Sequence, residues 1–239
     1  MASFLADYSK FYGDNSLNED GLNLDDFLLK YDPSEYRNPS VTADVMVFRY
    51  YKELQSVEDD LSILMIKRKN HPCIGYWALP GGFVEMREDL ETAAKRELEE
   101  ETGLSDVPVQ QVNTFGEVWR DPRNRLITTS FIAYINNNKA KKVKAGDDAA
   151  EAEWFDIKFD VKGESIVVVD DKFIERKLYN IELTGPNSVK CSAVVKEDIN
   201  IKNIIRKRDL SVVESNNIAF DHARFIVDGL LYLENSRKK

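Results

Sequence analysis

Glu97 and Glu101 stand four residues apart in a segment that reads as a helix, and they share its apolar stripe. Each helical residue advances by about 100°. Leu90, Ala94 and Leu98 then line one face, and both carboxylates project from its centre. An amphipathic surface helix carries its charges on the opposite side. Two carboxylates on an inward stripe are costly unless something positive meets them. A hard divalent cation, which prefers oxygen ligands, is the simplest partner. A run such as Glu97–Glu101 is usually a solvated helix end, and Glu99 fits that description. The apolar stripe sets Glu97 and Glu101 apart from it.

Neighbouring residues extend this chemistry. Gly81-Gly82 turns a strand into a loop, and the missing side chains leave room for a phosphate and its metals. Arg96 lies four residues before Glu100, within side-chain reach, where it would orient a carboxylate. Glu88 is either a further group around a metal or a structural brace. Gly103 suits the left-handed position that ends a helix, a role that needs no function. Arg120, Arg123 and Arg125 share one loop. They form either an exposed hairpin turn or, for Arg120, a bidentate contact to substrate phosphates. Trp77, Phe83 and Trp119 are each large enough to stack on a base or to pack in a core. His71 reads as solvated, and His222 as packed or locally bonded. Neither has a partner at zinc spacing.

These side chains need a scaffold. Alternation at Val41, Ala43, Val45 and Val47 predicts a strand, and Leu61–Lys67 predicts a second. A short strand, 76–79, ends at Pro80-Gly-Gly82 and leads into the acidic helix. Segments 112–119 and 126–135 form a hairpin around the arginine loop, and 152–155 closes the core. Asn216 or Asn217 would cap a last helix. Residues 158–213 read as an insertion. Its hairpin, 173–183 with 189–196, turns at Gly185-Pro-Asn-Ser188. The expected organisation is an N-terminal extension (1–37), a core (38–157), the insertion (158–213) and a C-terminal helix (214–239). Strands and helices in this mixed order give an α/β (α+β) fold with a mixed sheet between helices.

Composition narrows the function classes. Hydrophobic content of 43% supports a sizeable core in 239 residues. A net charge of −9 argues against a sequence-independent grip on nucleic acid. It does not exclude an anionic substrate, because a bound metal inverts the local sign. Cys73 and Cys191 lie far apart, which suggests a reducing compartment and no disulfide framework. No signal peptide or membrane-length apolar run is visible, so the expected location is the cytoplasm, with no membrane partner.

The run from Gly82 to Leu104 fills the pattern G-x5-E-x7-R-E-U-x-E-E-x-G-U, with U apolar, at Gly82, Glu88, Arg96, Glu97, Leu98, Glu100, Glu101, Gly103 and Leu104. It resembles the Nudix box of hydrolases that cut nucleoside diphosphates linked to another moiety. The flanks Trp77–Val84, Phe115–Arg123, Ala145–Phe155 and Ala219–Ala223 are similar to the ADP-ribose pyrophosphatase branch. The resemblance implies an α/β/α sandwich and dependence on Mg²⁺ or Mn²⁺. It places the metal on Glu97 and Glu101, with Glu100 close by and the Gly81 carbonyl as a further ligand. It places the catalytic base in the loop before the last core strand, where Asp147, Asp148 and Glu151 lie. Asp148 is the chosen base, beside Arg96, Glu97 and Glu100 in the catalytic set. Arg120, Gly82 and Trp77 are the expected substrate contacts.

The implied reaction splits ADP-ribose into AMP and ribose 5-phosphate, in a homodimer. Two alternatives stand beside it. One keeps the box and changes the substrate to another sugar nucleotide, a dinucleoside polyphosphate or NADH. The other follows a similarity to Nudix-related transcriptional regulators that sense ADP-ribose through a domain followed by a DNA-binding winged helix. The short stretch after Ala223 and the intact box favour the enzyme, and no nucleic-acid partner is expected.

Overall fold

In the computed structural model the described residues are 4–50, 61–140, 143–144 and 149–237. They fall into two units, 1–38 and 39–239. In the first, helix α1 (Leu24–Lys30) is capped by the Asn23 side chain, which accepts the Asp26 N–H at 2.8 Å. The Tyr8 and Tyr12 hydroxyls each donate to Asp25 Oδ1 at 2.8 Å.

The second unit is built on β1 (Ser40–Tyr50) and β2 (Leu61–Arg68), an antiparallel pair at the middle of one sheet. Side chains alternate across a strand. Ala43, Val45 and Val47 therefore face one layer while Met46 and Phe48 face the other, and all five are fully buried. Two short strands lead to the acidic helix: β3 (Trp77–Ala78) pairs with β2, and β4 (Gly81–Phe83) pairs with β1. Helix α2 (Leu90–Thr102) packs Ala93, Ala94 and Leu98 on the Val45 face. Its C-cap Gly103 has φ 70° and donates its N–H to Glu99 O.

Next come β5 (Gln110–Phe115), β6 (Leu126–Asn136) and the short helix α3 (Asn137–Ala140). β6 runs parallel to β1, while the other pairings are antiparallel, so the sheet is mixed. The remaining strands are β7 (Ala149–Val169), β8 (Lys172–Thr184), β9 (Lys190–Asn200) and β10 (Arg208–Asn216). Helix α4 (His222–Arg237) covers the Met46 face with Phe225, Ile226 and Leu230. A mixed sheet between α2 and α4 is the expected α/β/α arrangement, and the sheet stays open. Among the described residues no helix is long and apolar enough to cross a membrane.

Three elements differ from the sequence reading. The expected hairpin appears as β8 and β9, but β7 runs unbroken across residue 157 and β10 adds a further strand, so all four join the central sheet. No breaker interrupts β7; its pairing with β8 shows only a register shift between Val161 and Gly163. Its turn uses Asp170 and Asp171, both left-handed at φ 47° and 60°. The box glycines form a strand because their backbones pair with Ala43 and Asp44. The last helix begins at His222 and not beside Asn217. The Trp77 N–H donates to Asn217 O at 3.1 Å and the Ala219 N–H to Trp77 O at 2.8 Å, so this stretch extends along β3 first.

Candidate active site

A cavity of about 390 Å³ opens where β1, β2, β4, α2 and the start of α4 meet. β1 contributes Asp44, a carboxylate at 8% exposure in the buried middle of the central strand. Beside it β4 brings Gly81 and Gly82. A Cβ at Gly81 would collide with Asp44 Oδ1 and the Ala43 carbonyl, and one at Gly82 with the Glu97 carboxylate. Only hydrogens fit where three acidic groups approach the backbone.

Helix α2 supplies the other acids. The sequence reading put Glu97 and Glu101 on the inward stripe. Glu101 is buried, and its Oε2 accepts the Gly81 N–H at 2.8 Å. Glu97 sits at the edge of that face, half-buried. Arg96 ties the acids together. Its Nε and Nη2 meet both Glu88 oxygens at 3.0 and 2.7 Å, and its Nη1 reaches Glu97 at 2.8 Å and Glu100 at 2.9 Å. Its Nη2 also donates to the Phe83 carbonyl. Glu88 Oε1 accepts the Glu85 N–H as well, so Glu88 links the Glu85 loop to Arg96. Glu100 is exposed on the outer side of Arg96.

Burial dominates the electrostatics. It pushes Glu101 up to about 8, against the relief from the Gly81 N–H, and the nearby Glu97 and Asp44 charges add to it. Burial pushes Asp44 up to about 7, with Arg120 pulling the other way. Glu97 is also raised by burial, although Arg96 opposes this. Among the described residues, no three His, Cys, Asp or Glu groups close around one point as placed. Arg96 and the Gly81 N–H hold these carboxylates instead. The donor chemistry nevertheless fits a hard divalent cation: carboxylates raised by burial, with neighbouring charges adding to it, are the groups such an ion would relieve.

Other expected contacts land differently. Arg120 lines the cavity, but its fork grips Asp221, Nε to Oδ2 at 3.1 Å and Nη2 to Oδ1 at 3.0 Å, and Nη1 bonds Thr128. The bidentate geometry expected for a phosphate is taken by a protein carboxylate. Trp77 is 2% exposed and packs edge-on against Phe155, so it belongs to the core and not to the cavity lining. Phe83 lines the cavity and is exposed, whereas Trp119 is exposed outside it. Asp147 and Asp148 lie outside the described residues. Glu151 is exposed and pairs with Lys67 Nζ at 2.9 Å.

Asp44, Arg68, Phe220, Asp221 and His222 join the cavity or its wall without having been singled out for it. Asp44 had a signal: an acid in the middle of an alternating apolar strand. His222 had none, because its partner is the Leu79 N–H, 143 residues away, which donates to Nδ1 at 3.0 Å. That bond leaves the ring proton on Nε2, and burial pushes His222 down to about 4, so the ring stays neutral. Asp221 also accepts from Arg224, whose Nη1 and Nη2 meet Glu117 at 2.9 and 2.7 Å. This buried ionic cluster fastens α4 to the loop after β5.

A model of the NUDIX domain matches residues 42–169. Over 122 residues the chain is 42% identical to an ADP-ribose pyrophosphatase from Methanocaldococcus jannaschii, covering 51% of this chain and 64% of that protein. Over 113 residues it is 41% identical to the ADPR responsive transcriptional repressor NtrR from Acinetobacter baylyi, covering 46% of this chain and 42% of the repressor. The matches thus span less than two thirds of either curated relative. Among solved structures, a MutT/nudix family protein from Enterococcus faecalis aligns with a TM-score of 0.61 at 29% identity, over 87% of this chain and 66% of that one.

Proposed function

Because the chain belongs to the NUDIX family, we propose that it is a hydrolase of the pyrophosphate link in a nucleoside diphosphate derivative, with ADP-ribose as substrate and Mg²⁺ or Mn²⁺ as cofactor. The observation that carries this reading is the convergence of Asp44, Glu97 and Glu101 on the Gly81–Gly82 backbone in one cavity. The similarity to an ADP-ribose pyrophosphatase supports the choice of substrate.

Glu97, Glu101, the neighbouring Glu100 and the Gly81 carbonyl would hold the metal, which supplies charge neutralisation at the phosphates and activation of water. The chain's own residues do the rest. Arg96 holds Glu97 and Glu100 in place. The absent side chain of Gly82 lets the Glu97 carboxylate come against the backbone of β4. Water oxygen bonds to one phosphorus, and the bridging P–O bond breaks. One water proton passes to a carboxylate, for which Asp148 is our candidate, and the other stays on the new phosphate. The products are AMP and ribose 5-phosphate. We propose a cytoplasmic homodimer, with its mass by light scattering as the test.

The test of substrate is turnover of a panel with Mg²⁺. ADP-ribose should be cut faster than ATP, NADH or diadenosine polyphosphates, and a lower rank overturns that choice while leaving the hydrolase reading intact. The similarity to a transcriptional repressor favours a second reading, ADP-ribose sensing. It predicts sub-micromolar binding to the gene's own upstream DNA at physiological salt, weakened by ADP-ribose. The enzyme reading predicts no such binding.

A further inference from the structure

Four arginines line the cavity: Arg68, Arg96, Arg120 and Arg123. Three are matched to carboxylates: Arg96 to Glu88, Glu97 and Glu100, Arg120 to Asp221, and Arg123 to Asp121 through both oxygens. Arg68 differs. Among the described residues it forms no ion pair, and its one side-chain hydrogen bond runs from Nε to the Pro72 carbonyl at 2.8 Å. Burial and the nearby Arg123 work against its charge, while Cys73, Glu101 and Asp121 favour it without bonding its fork. A half-buried guanidinium beside a second cation, with no carboxylate on its terminal nitrogens, is suited to an anion.

The backbone around Arg68 points the same way. Phe220 lies under it, with the guanidinium carbon 4.9 Å from the ring centroid. Arg123 stands 5.6 Å from the same centroid. To reach this position Phe220 adopts φ 50°, a left-handed conformation that bulky residues rarely take. Such strain persists where surrounding structure holds it, and it gathers at functional sites. Here the flanking Ala219 is pinned to Trp77 by its N–H. One strained aromatic ring thus serves as the floor for two guanidinium groups, and one of them still has its terminal nitrogens to offer.

We propose that Arg68 is a substrate-binding residue that takes a phosphoryl group of the nucleotide on its Nη atoms, with Phe220 holding the guanidinium in place. The assignment rests on the hydrolase reading for the identity of the ligand, not for the existence of an anion site. Arg68 ends β2, outside the box, and lines the same cavity. It is a positive wall of the protein itself, independent of any metal bound by the carboxylates. A planar fork matches phosphate oxygens bidentately, which a lysine cannot do.

The experiment is calorimetric titration of the full chain in EDTA with ADP-ribose, AMP and adenosine, comparing wild type, Arg68→Lys and Arg68→Gln. Wild type should bind AMP and ADP-ribose. Arg68→Gln should weaken both by about tenfold or more, with adenosine unchanged and Arg68→Lys intermediate. Thermal melts check that each variant is folded. Equal binding of AMP by wild type and Arg68→Gln overturns the proposal, and so does equal loss of adenosine. It is also overturned if only Mg²⁺ affinity changes, because Arg68 would then merely balance Glu101. Turnover of ADP-ribose by wild type with Mg²⁺ tests the hydrolase reading separately. An enzyme that ignores ADP-ribose but loses AMP binding in Arg68→Gln keeps the anion site and discards only that substrate.

Discussion

The Gly81 N–H donates to Glu101 Oε2 at 2.8 Å, joining the first residue of a strand to the end of the helix that follows it. This bond fixes one carboxylate of the acidic face while leaving it short of positive charge. Glu97→Gln and Glu101→Gln should each lower kcat by about two orders of magnitude or more, roughly 3 kcal/mol of transition-state stabilisation. Glu99→Gln, on the exposed side, should match wild type. Without metal at pH 9, Glu101→Gln should melt at the same temperature or higher, because there it removes a buried charge. Near-normal turnover by Glu97→Gln would remove the metal role from α2.

The same carboxylates set a pH dependence. Asp44 and Glu101 hold their protons more tightly when folded, at about 7 and 8 against ordinary values of 3.8 and 4.5. Their contribution to stability is full below the ordinary values and is lost as pH rises through 7 and 8. His222 acts oppositely: its value falls from 6.5 to about 4, so its contribution is full above 6.5 and is lost as pH drops through 4. In EDTA the melting temperature should therefore fall between pH 6.5 and 8.5, where the two acids act and His222 is constant. Mg²⁺ should raise it more at pH 8.5 than at pH 6. A pH-independent Mg²⁺ effect in calorimetry would contradict this.

Trp77 and Phe83 offer a clean contrast, since one is in the core and the other faces the cavity. Trp77→Ala should cost about 3–5 kcal/mol in urea denaturation through the space it leaves. Phe83→Ala should change stability little and raise KM several-fold, as about 1 kcal/mol of aromatic contact predicts. The reverse pattern would return the stacking role to Trp77.

Asp221 is shared by two buried arginines. Asp221→Asn should cost about 3–5 kcal/mol in the same assay, because it leaves buried positive charge uncompensated. Arg120→Lys should also destabilise, since an ammonium cannot reproduce the fork. A loss below about 1 kcal/mol for Asp221→Asn would show that Glu117 alone suffices for Arg224.

The legible part of the site was the part written locally. α2, its glycine cap and the inward turn of Glu101 follow from helical spacing, and the period of two gave β1 and β2. Arg96 could be placed beside Glu100 because they are four residues apart. What stayed hidden depends on distance along the chain. Asp221 claims Arg120 from 101 residues away, so the apparent phosphate fork could not be recognised as occupied. Arg68 ends an ordinary strand, and that no carboxylate among the described residues pairs with it is a property of the assembled cavity. The length of β7 was missed for a different reason: a strand that crosses an expected boundary carries no punctuation there.

The bond between Leu79 and His222 also sets an order of events during synthesis. The acidic helix and both central strands leave the ribosome more than a hundred residues before the segment that closes their cavity. Until α4 is made, the face with Met46, Phe48, Ile63 and Met65 lacks the helix that packs on it in the folded chain. Nascent chains are most prone to stick to one another while such a face waits. A chain cut short before residue 222 would carry every carboxylate of the box without the His222 wall of the cavity.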